Sequence, residues 1–118
     1  MMDWDHRSNQ PVDWLLGACL MVRKSAISQV GLMDERFFLY FEDVDWCRRF
    51  WQNGYQIYYV ADAEMIHYHQ RLSAEYQGLR SLFSSLTRIH IASWLKYMAK
   101  YMGGKRLPNR IDEKRRRV

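Results

Sequence analysis

Three carboxylates stand close together near the middle of the sequence, directly after a run of large apolar residues. Glu42, Asp43 and Asp45 follow the stretch FFLYF at 37–41. An acid cluster at the start of a helix has a structural explanation, because the positive end of the helix dipole favours negative charge. The apolar run supports a second explanation, since it would bring the carboxylates to the floor of a pocket, where one of them can act as a general base. The residues alone leave both explanations open.

The pattern after the acids predicts a helix that begins at Asp43. Asn53-Gly54 is a stop signal for this helix. The acids therefore occupy the first turn of a helix. Apolar residues recur after them at helical spacing: Val44, Cys47, Phe50 and Trp51.

Upstream of the acids, the sequence predicts one strand and one short helix. Residues 12–22, VDWLLGACLMV, are almost continuously apolar, which is typical of a strand buried on both faces. Gly17 and Ala18 in its middle leave space for another group to approach the backbone. Ser25 can cap a helix over 26–30.

Downstream of the acids, two short strands are expected at 55–60 and 64–68, joined by a turn at 61–63. A long amphipathic helix should follow over 73–102, ended by Gly103-Gly104. Its apolar stripe predicts a face that packs on the rest of an enzyme or lies on a membrane. The stripe consists of Leu79, Leu82, Phe83, Leu86, Ile89, Trp94 or Leu95, and Met98.

These elements predict an α/β fold, or α+β for a fragment, because the strands are too few for a complete doubly wound sheet. A missing N-terminal half would explain their small number. We divide the chain into a lead-in at 1–11, an acceptor-side half-domain at 12–72, the long helix at 73–104 and a basic tail at 105–118. Because a half-domain would expose the surface that its other half should cover, we expect self-association.

Composition indicates a globular protein. The chain has 118 residues, of which 48% are hydrophobic and 15% aromatic, so disorder is not expected. No run approaches the roughly 20 apolar residues of a spanning helix, and residues 1–10 do not resemble a signal peptide, which favours the cytoplasm. Cys19 and Cys47 match no paired redox or metal spacing and lie in apolar surroundings, so both are expected to be buried free thiols.

The positive charge is concentrated in the tail. Seven basic and two acidic residues from Lys105 onward account for the formal net charge of +5, and the remainder is neutral. Nucleic-acid binding is therefore a weak alternative, because the body offers no basic surface in excess of its acids. A basic tail beside an amphipathic helix suits an anionic membrane surface at least as well, which adds peripheral attachment at the inner face of the cell membrane to the expectations.

Four blocks in order carry a resemblance to a known family: DWLLGACLMVR at 13–23, GLMDERFFLYFEDVDWCRR at 31–49, NGY at 53–55 and VADAEMIHYH at 60–69. They resemble the C-terminal half of the inverting family 2 glycosyltransferases, particularly rhamnosyltransferase-like bacterial members. The resemblance implies the GT-A fold and a nucleotide-diphosphate sugar donor. It also implies that this chain carries the acceptor side of the active site, and that the enzyme takes part in the assembly of cell-wall or other cell-surface polysaccharide.

The resemblance also implies roles for individual residues. Asp43 would deprotonate the acceptor hydroxyl in a single inverting displacement, and Glu42 would orient the acceptor or the base. His67 would complete the site of a Mg²⁺ or Mn²⁺ ion that bridges the donor diphosphate. Without the resemblance, His67 would be interpreted as an interior histidine, with His69 close to it on the same face.

The remaining candidates are substrate-binding residues. The resemblance places Asp13, Trp14, Gly17 and Ala18 at the border of the sugar site. Tyr40 and Trp46, like Trp14, offer aromatic faces on which a sugar can stack, although each is also a plausible core residue. Asp45 is the last candidate, with the alternative that it forms an i, i+4 pair with Arg49 that braces the helix.

One departure from the family pattern limits what the chain can do alone. The family's D-x-D motif ends a strand in a nucleotide-binding half, whereas Asp3-Trp4-Asp5 follows nothing strand-like. We therefore expect the 118 residues alone to be inactive, with donor and acceptor bound through the missing half. A non-catalytic binding or assembly module is the alternative, and rhamnose as the donor sugar follows only from the resemblance.

Overall fold

The computed structural model describes residues 6–68 and 84–102. It contains helix α1 at Lys24–Val30, helix α2 at Glu42–Gln52 and helix α3 at Ser85–Tyr101. Strands β1, Gln10–Pro11, and β2, Tyr58–Tyr59, form one antiparallel pair. This small mixed structure fits the α/β class. Predictions for 1–5, 69–83 and 103–118, including His69, residues 73–83 of the long helix and the basic tail, lie outside the described residues.

The predicted buried strand at 12–22 is wrong. This segment is irregular, and most of its residues are half or fully exposed, including Cys19, which was expected to be buried. The physical reason is that a strand needs a neighbour to accept its backbone hydrogen bonds. Within residues 6–68 and 84–102, only the first residue of the segment has such a backbone partner: the Val12 N–H donates to the Ile57 carbonyl at 2.9 Å.

The predicted pair of strands is also largely wrong. Strand β2 is confined to two residues and pairs with β1, in the register Gln10 opposite Tyr59 and Pro11 opposite Tyr58. The turn is present, with the Ala63 N–H donating to the Val60 carbonyl at 3.2 Å. The segment 64–68 is irregular and exposed, so the second strand does not form.

A small core holds α1 against α2. Its buried residues are Ala26 and Val30 of α1 with Trp46 and Phe50 of α2, and the two aromatic rings meet edge to face at 5.3 Å. The Trp46 indole N–H donates to the Gly31 carbonyl at 2.9 Å. Trp46 is therefore a core residue, and the prediction that it stacks on a sugar is not supported. Partly buried side chains complete the core: Leu20, Val22, Ile27, Tyr55 and Ile57.

Both short helices were predicted close to their observed positions. Helix α1 begins at Lys24, so Ser25 lies inside it and does not cap it, and α1 ends at Gly31 with a φ of +84°. A positive φ causes little strain at this position because the residue is glycine. Helix α2 carries the acids in its first turn and ends at Asn53, as predicted.

Helix α3 docks on the body through its polar side. Ser84 caps it by accepting the Thr87 N–H at 3.1 Å. The buried Ser93 hydroxyl donates to the Leu39 carbonyl at 2.8 Å, and the Lys96 ammonium donates to the Arg36 carbonyl at 3.0 Å. The surface of the body that faces α3 presents backbone carbonyl oxygens, and these need hydrogen-bond donors when they are buried.

In the part of the chain that the structure describes, the predicted apolar stripe is not the side of α3 that meets the body, and its packing on the rest of an enzyme or on a membrane stays a prediction. Trp94, Leu95 and Met98 are exposed, while Leu86 and Ile89 are partly covered. Within the described part of the chain, no helix is long and apolar enough to cross a bilayer.

Candidate active site

The Asp43 carboxylate is held in one position by backbone groups. Its Oδ2 accepts the Gly17 N–H at 2.8 Å, and its Oδ1 accepts the N–H of Val44 at 2.7 Å. The residue keeps 9% of its surface exposed. Each carboxylate oxygen has two acceptor positions, so one bond to each leaves capacity for a proton from a ligand hydroxyl.

Gly17 brings the segment 12–22 to the acid cluster across 26 residues of sequence. A Cβ atom placed on Gly17 would lie 3.6 Å from the Asp43 Cβ and 3.7 Å from its Oδ2. Both distances are ordinary van der Waals contacts, so a Cβ would fit beside the carboxylate. The two residues that the family resemblance placed in one site are in direct contact.

The loop before α2 is strained. Tyr40 and Phe41 have φ values of +66° and +69°, a left-handed conformation that costs roughly 1–3 kcal/mol for each non-glycine residue. Helix α3 packs on both rings, with Tyr40 stacked on His90 at 4.6 Å and Phe41 against Tyr97 at 5.4 Å. Strain of this kind is concentrated at functional sites, where it sets the position of a reacting group. Here the strained residues lie two and three positions before Asp43.

Asp45 has a structural environment. Its exposure is 0%, and its Oδ1 accepts the Tyr101 hydroxyl at 2.7 Å and lies 2.6 Å from the Lys100 Nζ. Its Oδ2 accepts the Arg49 Nε–H at 2.9 Å, so the predicted i, i+4 pair is present. Because the carboxylate has no accessible surface, its predicted contact with substrate is corrected to a structural role. Burial, followed by the bond to Asp45, raises the pKa of Tyr101.

Asp34 extends this charged network to the loop before the aromatic run. Its Oδ2 lies 2.6 Å from the Lys100 Nζ and 2.6 Å from an Arg36 Nη2. The hydrogen bond from Arg36, and then that from Lys100, hold the pKa of Asp34 below its ordinary value. Sequence reasoning missed Lys100, because its only local signal was a charge on the polar face of a helix.

Glu42 and Arg48 each carry a buried polar atom that has no hydrogen-bond partner among the described residues, the Glu42 Oε2 and the Arg48 Nε. The rest of the Arg48 guanidinium is engaged, since its Nη1 donates to the Tyr97 hydroxyl at 3.0 Å and its Cζ lies 3.9 Å from the Tyr101 ring centroid. Glu42 thus retains an acceptor one residue from Asp43, which is compatible with its predicted role in orienting a substrate or the base.

The other predicted substrate residues lie along the exposed segment that Gly17 anchors. Asp13 is exposed, and its carbonyl accepts the Trp51 indole N–H at 3.1 Å. Trp14 is 46% exposed, so its ring has a free surface, and Ala18 is also exposed.

An open hollow of about 370 Å³ lies along α3. His90, which lines it, also stacks on Tyr40, so the hollow adjoins the strained loop. The sequence pattern had not singled out His90, because a lone histidine in a helix carries no distinctive spacing. The hollow is lined by Leu86, Thr87, His90, Ile91 and Trp94.

The described residues do not by themselves form a metal site. Across 6–68 and 84–102, no group of three or more His, Cys, Asp or Glu side chains is placed to hold an ion. His67 lies in the exposed segment 64–68. A divalent ion has one candidate protein ligand here, so the described residues do not fit a complete Mg²⁺ or Mn²⁺ site.

Comparison with known proteins decides the family. The model for Glycosyl transferase family group 2 matches residues 2–118. The chain belongs to this family. No solved structure gives a significant match to the chain.

Several curated relatives are rhamnosyltransferases. The chain is 51% identical over 61 residues to the N-acetylglucosaminyl-diphospho-decaprenol L-rhamnosyltransferase of Mycobacterium tuberculosis, a match that covers 52% of this chain and 20% of that protein. It is 34% identical over 93 residues to rhamnosyltransferase WbbL of Escherichia coli, covering 79% and 33%. It is 36% identical over 47 residues to the dTDP-rhamnosyl transferase RfbF of Shigella flexneri, covering 40% and 16%. The chain thus spans a third or less of the length of these relatives.

Proposed function

We propose that this chain is the acceptor-side part of an inverting, GT-A type glycosyltransferase in which Asp43 is the catalytic base. The observation that carries the proposal is the carboxylate itself: it is oriented by the Gly17 N–H, buried with 9% of the residue's surface exposed, and placed at a helix start by two strained residues. Membership of the family and the rhamnosyltransferase relatives support the same chemistry.

In the proposed reaction, a hydroxyl of the acceptor sugar donates its hydrogen bond to a free lone pair of Asp43. As the hydroxyl oxygen attacks the anomeric carbon of the donor, its proton passes to Asp43. The bond between that carbon and the nucleoside diphosphate breaks, and the diphosphate leaves with the electron pair, which inverts the configuration. A positioned base of this kind contributes roughly 10²- to 10⁴-fold in rate.

The relatives suggest the substrates. We propose a dTDP-linked deoxyhexose such as rhamnose as donor, from the name of the Shigella flexneri relative, and a polyprenyl diphosphate-linked sugar as acceptor, from that of the Mycobacterium tuberculosis relative. The exposed Trp14 ring and the backbone at Gly17 and Ala18 border the acceptor sugar in this proposal. Tyr40 is stacked on His90 and has a structural part in placing Asp43.

We also propose a divalent metal ion at the donor diphosphate. A Mg²⁺ or Mn²⁺ ion would neutralise charge on the leaving diphosphate, and His67 is the one ligand proposed from this chain. No step above depends on it. Binding of Mn²⁺ to the full-length protein should weaken on His67→Ala and remain unchanged on His6→Ala.

The test compares Asp43→Asn with a matched control, Glu35→Gln, in the full-length protein containing this chain. Glu35 is an exposed acid eight positions earlier. We expect Asp43→Asn to lower kcat by at least about 10²-fold with an unchanged circular dichroism spectrum, and Glu35→Gln to retain activity. Undiminished transfer by folded Asp43→Asn would favour the non-catalytic module instead.

A further inference from the structure

Helix α3 turns one row of side chains toward the segment that leads into α2. The members of this row, which we call the inner face, are spaced i, i+3, i+7 and i+11 and therefore lie along one side of the helix. Ser93 is buried, with 3% of its surface exposed, although its side chain is polar. A buried hydroxyl needs a hydrogen-bond partner. The inner face consists of His90, Ser93, Tyr97 and Tyr101.

The first half of the inner face holds the backbone and the ring at the start of the strained pair at 40–41. The Ser93 hydroxyl donates to the Leu39 carbonyl at 2.8 Å. One helical turn earlier, the His90 ring stacks on the Tyr40 ring at 4.6 Å. These two contacts fix the chain directly before it takes the left-handed conformation.

The second half of the inner face holds the side that follows the pair. The Tyr97 ring lies 5.4 Å from the Phe41 ring, and the Tyr97 hydroxyl accepts a bond from the Arg48 Nη1 at 3.0 Å. The Tyr101 hydroxyl donates to the Asp45 carboxylate at 2.7 Å. Because Arg48 and Asp45 belong to α2, one face of α3 fixes the strained pair relative to the helix that carries the acids.

The conformation of the strained pair decides where Asp43 lies. Both residues have positive φ without being glycine, a state that persists only where the surrounding structure holds it. A return to negative φ would change the direction in which the chain enters α2. The Phe41 carbonyl accepts the Asp45 N–H at 2.8 Å, so the change would reach the first turn of α2. It would move the Asp43 carboxylate relative to the Gly17 N–H, which belongs to a different segment.

We propose that Ser93 and His90 are positioning residues for the catalytic base Asp43, an inference that rests on the proposed function. They hold Leu39 and Tyr40, and through the strained pair they keep the carboxylate in the place from which it takes the acceptor proton.

Docking of α3 does not depend on these two residues alone. The Lys96 ammonium donates to the Arg36 carbonyl at 3.0 Å, and the Lys100 Nζ lies 2.6 Å from the Asp34 Oδ2. Both bonds remain when a positioning residue is replaced. We therefore expect the variants to fold with α3 in place and to lose activity through the geometry of the base.

The experiment is steady-state kinetics of the full-length protein containing this chain. The donor is dTDP-rhamnose, and the acceptor is N-acetylglucosamine linked to a polyprenyl diphosphate. Ser93→Ala should lower kcat by about tenfold and change the KM for each substrate by less than about twofold, because the base is displaced while binding is retained. His90→Ala should lower kcat by less. The matched control is Ser28→Ala, which removes an exposed hydroxyl that donates to a backbone carbonyl at 2.7 Å and should leave kcat unchanged.

Combination with Asp43→Asn separates a positioning role from a structural one. If Ser93 acts through the base, Ser93→Ala should cause no further loss of kcat in the Asp43→Asn protein. Losses that multiply would overturn the inference, and so would a normal kcat for folded Ser93→Ala and His90→Ala. Circular dichroism checks folding, and His90→Ala, at an exposed position, carries the test if Ser93→Ala does not fold.

The same measurements distinguish the two proposals. Full activity of Asp43→Asn alone would refute the assignment of the base. An impaired Asp43→Asn beside a fully active Ser93→Ala and His90→Ala would refute only the positioning role.

Discussion

Replacing Asp45 by asparagine should destabilise the fold far more than the same change two residues earlier. The fully buried Asp45 carboxylate receives the Arg49 Nε–H, the Lys100 ammonium and the Tyr101 hydroxyl. Asparagine has a similar size but no charge, and its amide nitrogen would face a donor in place of one oxygen. The change therefore leaves two cations with less compensation, beside a side chain that has no exposed surface.

The magnitude follows from what each partner retains. Lys100 keeps its bond to Asp34, and the Arg49 guanidinium keeps bonds to the carbonyls of Val30 and Leu32, at 2.8 and 2.7 Å. Breaking a buried ion pair costs about 3–5 kcal/mol, so these retained bonds place Asp45→Asn near the lower end, at about 3 kcal/mol. Asp43→Asn removes an acceptor from one backbone N–H and should cost about 1 kcal/mol.

The assay is urea unfolding of the 118-residue chain, followed by circular dichroism. Glu35→Gln serves as the surface control and should change the free energy of unfolding by less than about 0.5 kcal/mol. Tyr101→Phe removes one donor to Asp45 and should fall between the two, at about 1–2 kcal/mol. If Asp45→Asn is as stable as Asp43→Asn, the assignment of a structural role to Asp45 is wrong.

Three further predictions concern pH, thiol reactivity and the crowding of the base. The hydrogen bonds of its ion pairs lower the pKa of Asp34, so the stability that Asp34 contributes is complete above its unfolded pKa of about 4 and is lost as pH falls below that value. Asp34→Asn should therefore flatten the dependence of the urea midpoint on pH in acid. An unchanged slope would contradict this prediction. In the native chain Cys19 should react rapidly with a thiol reagent and Cys47 slowly, because Cys47 is buried and burial raises its pKa; equal rates would disprove the burial. Gly17→Val should place methyl groups against Asp43 and reduce kcat/KM of the full-length enzyme by roughly tenfold or more while the protein stays folded, and Gly17→Ala should reduce it less.

Several features followed from the sequence because their causes are local. Helices α1 and α2 depend on apolar spacing and on the stop residues Gly31 and Asn53, which act within a few positions of the chain. The same applies to the place of the acids in the first turn of α2 and to the ion pair between Asp45 and Arg49, which is set by helical geometry.

Features that depend on distant partners could not be predicted in the same way. The segment 12–22 has the composition of a buried strand, but the structure provides no neighbouring strand for it within the described residues. The amphipathic pattern of α3 predicts an apolar side that needs a partner, but it does not reveal that the carbonyl oxygens of the body hold the opposite, polar side. Periodicity identifies two sides of a helix and does not decide which surface each side meets.

The candidate site shows the same division. The sequence by itself placed three acids together, and the family resemblance brought Asp43 and Gly17 into one hypothesis. Only the tertiary structure separated the roles of the acids, because the Gly17 N–H reaches Asp43 across 26 residues and the Tyr101 hydroxyl reaches Asp45 across 56. Those contacts leave the first residue with 9% of its surface exposed and enclose the second carboxylate completely among cations, a difference that no local pattern of charge or spacing contains.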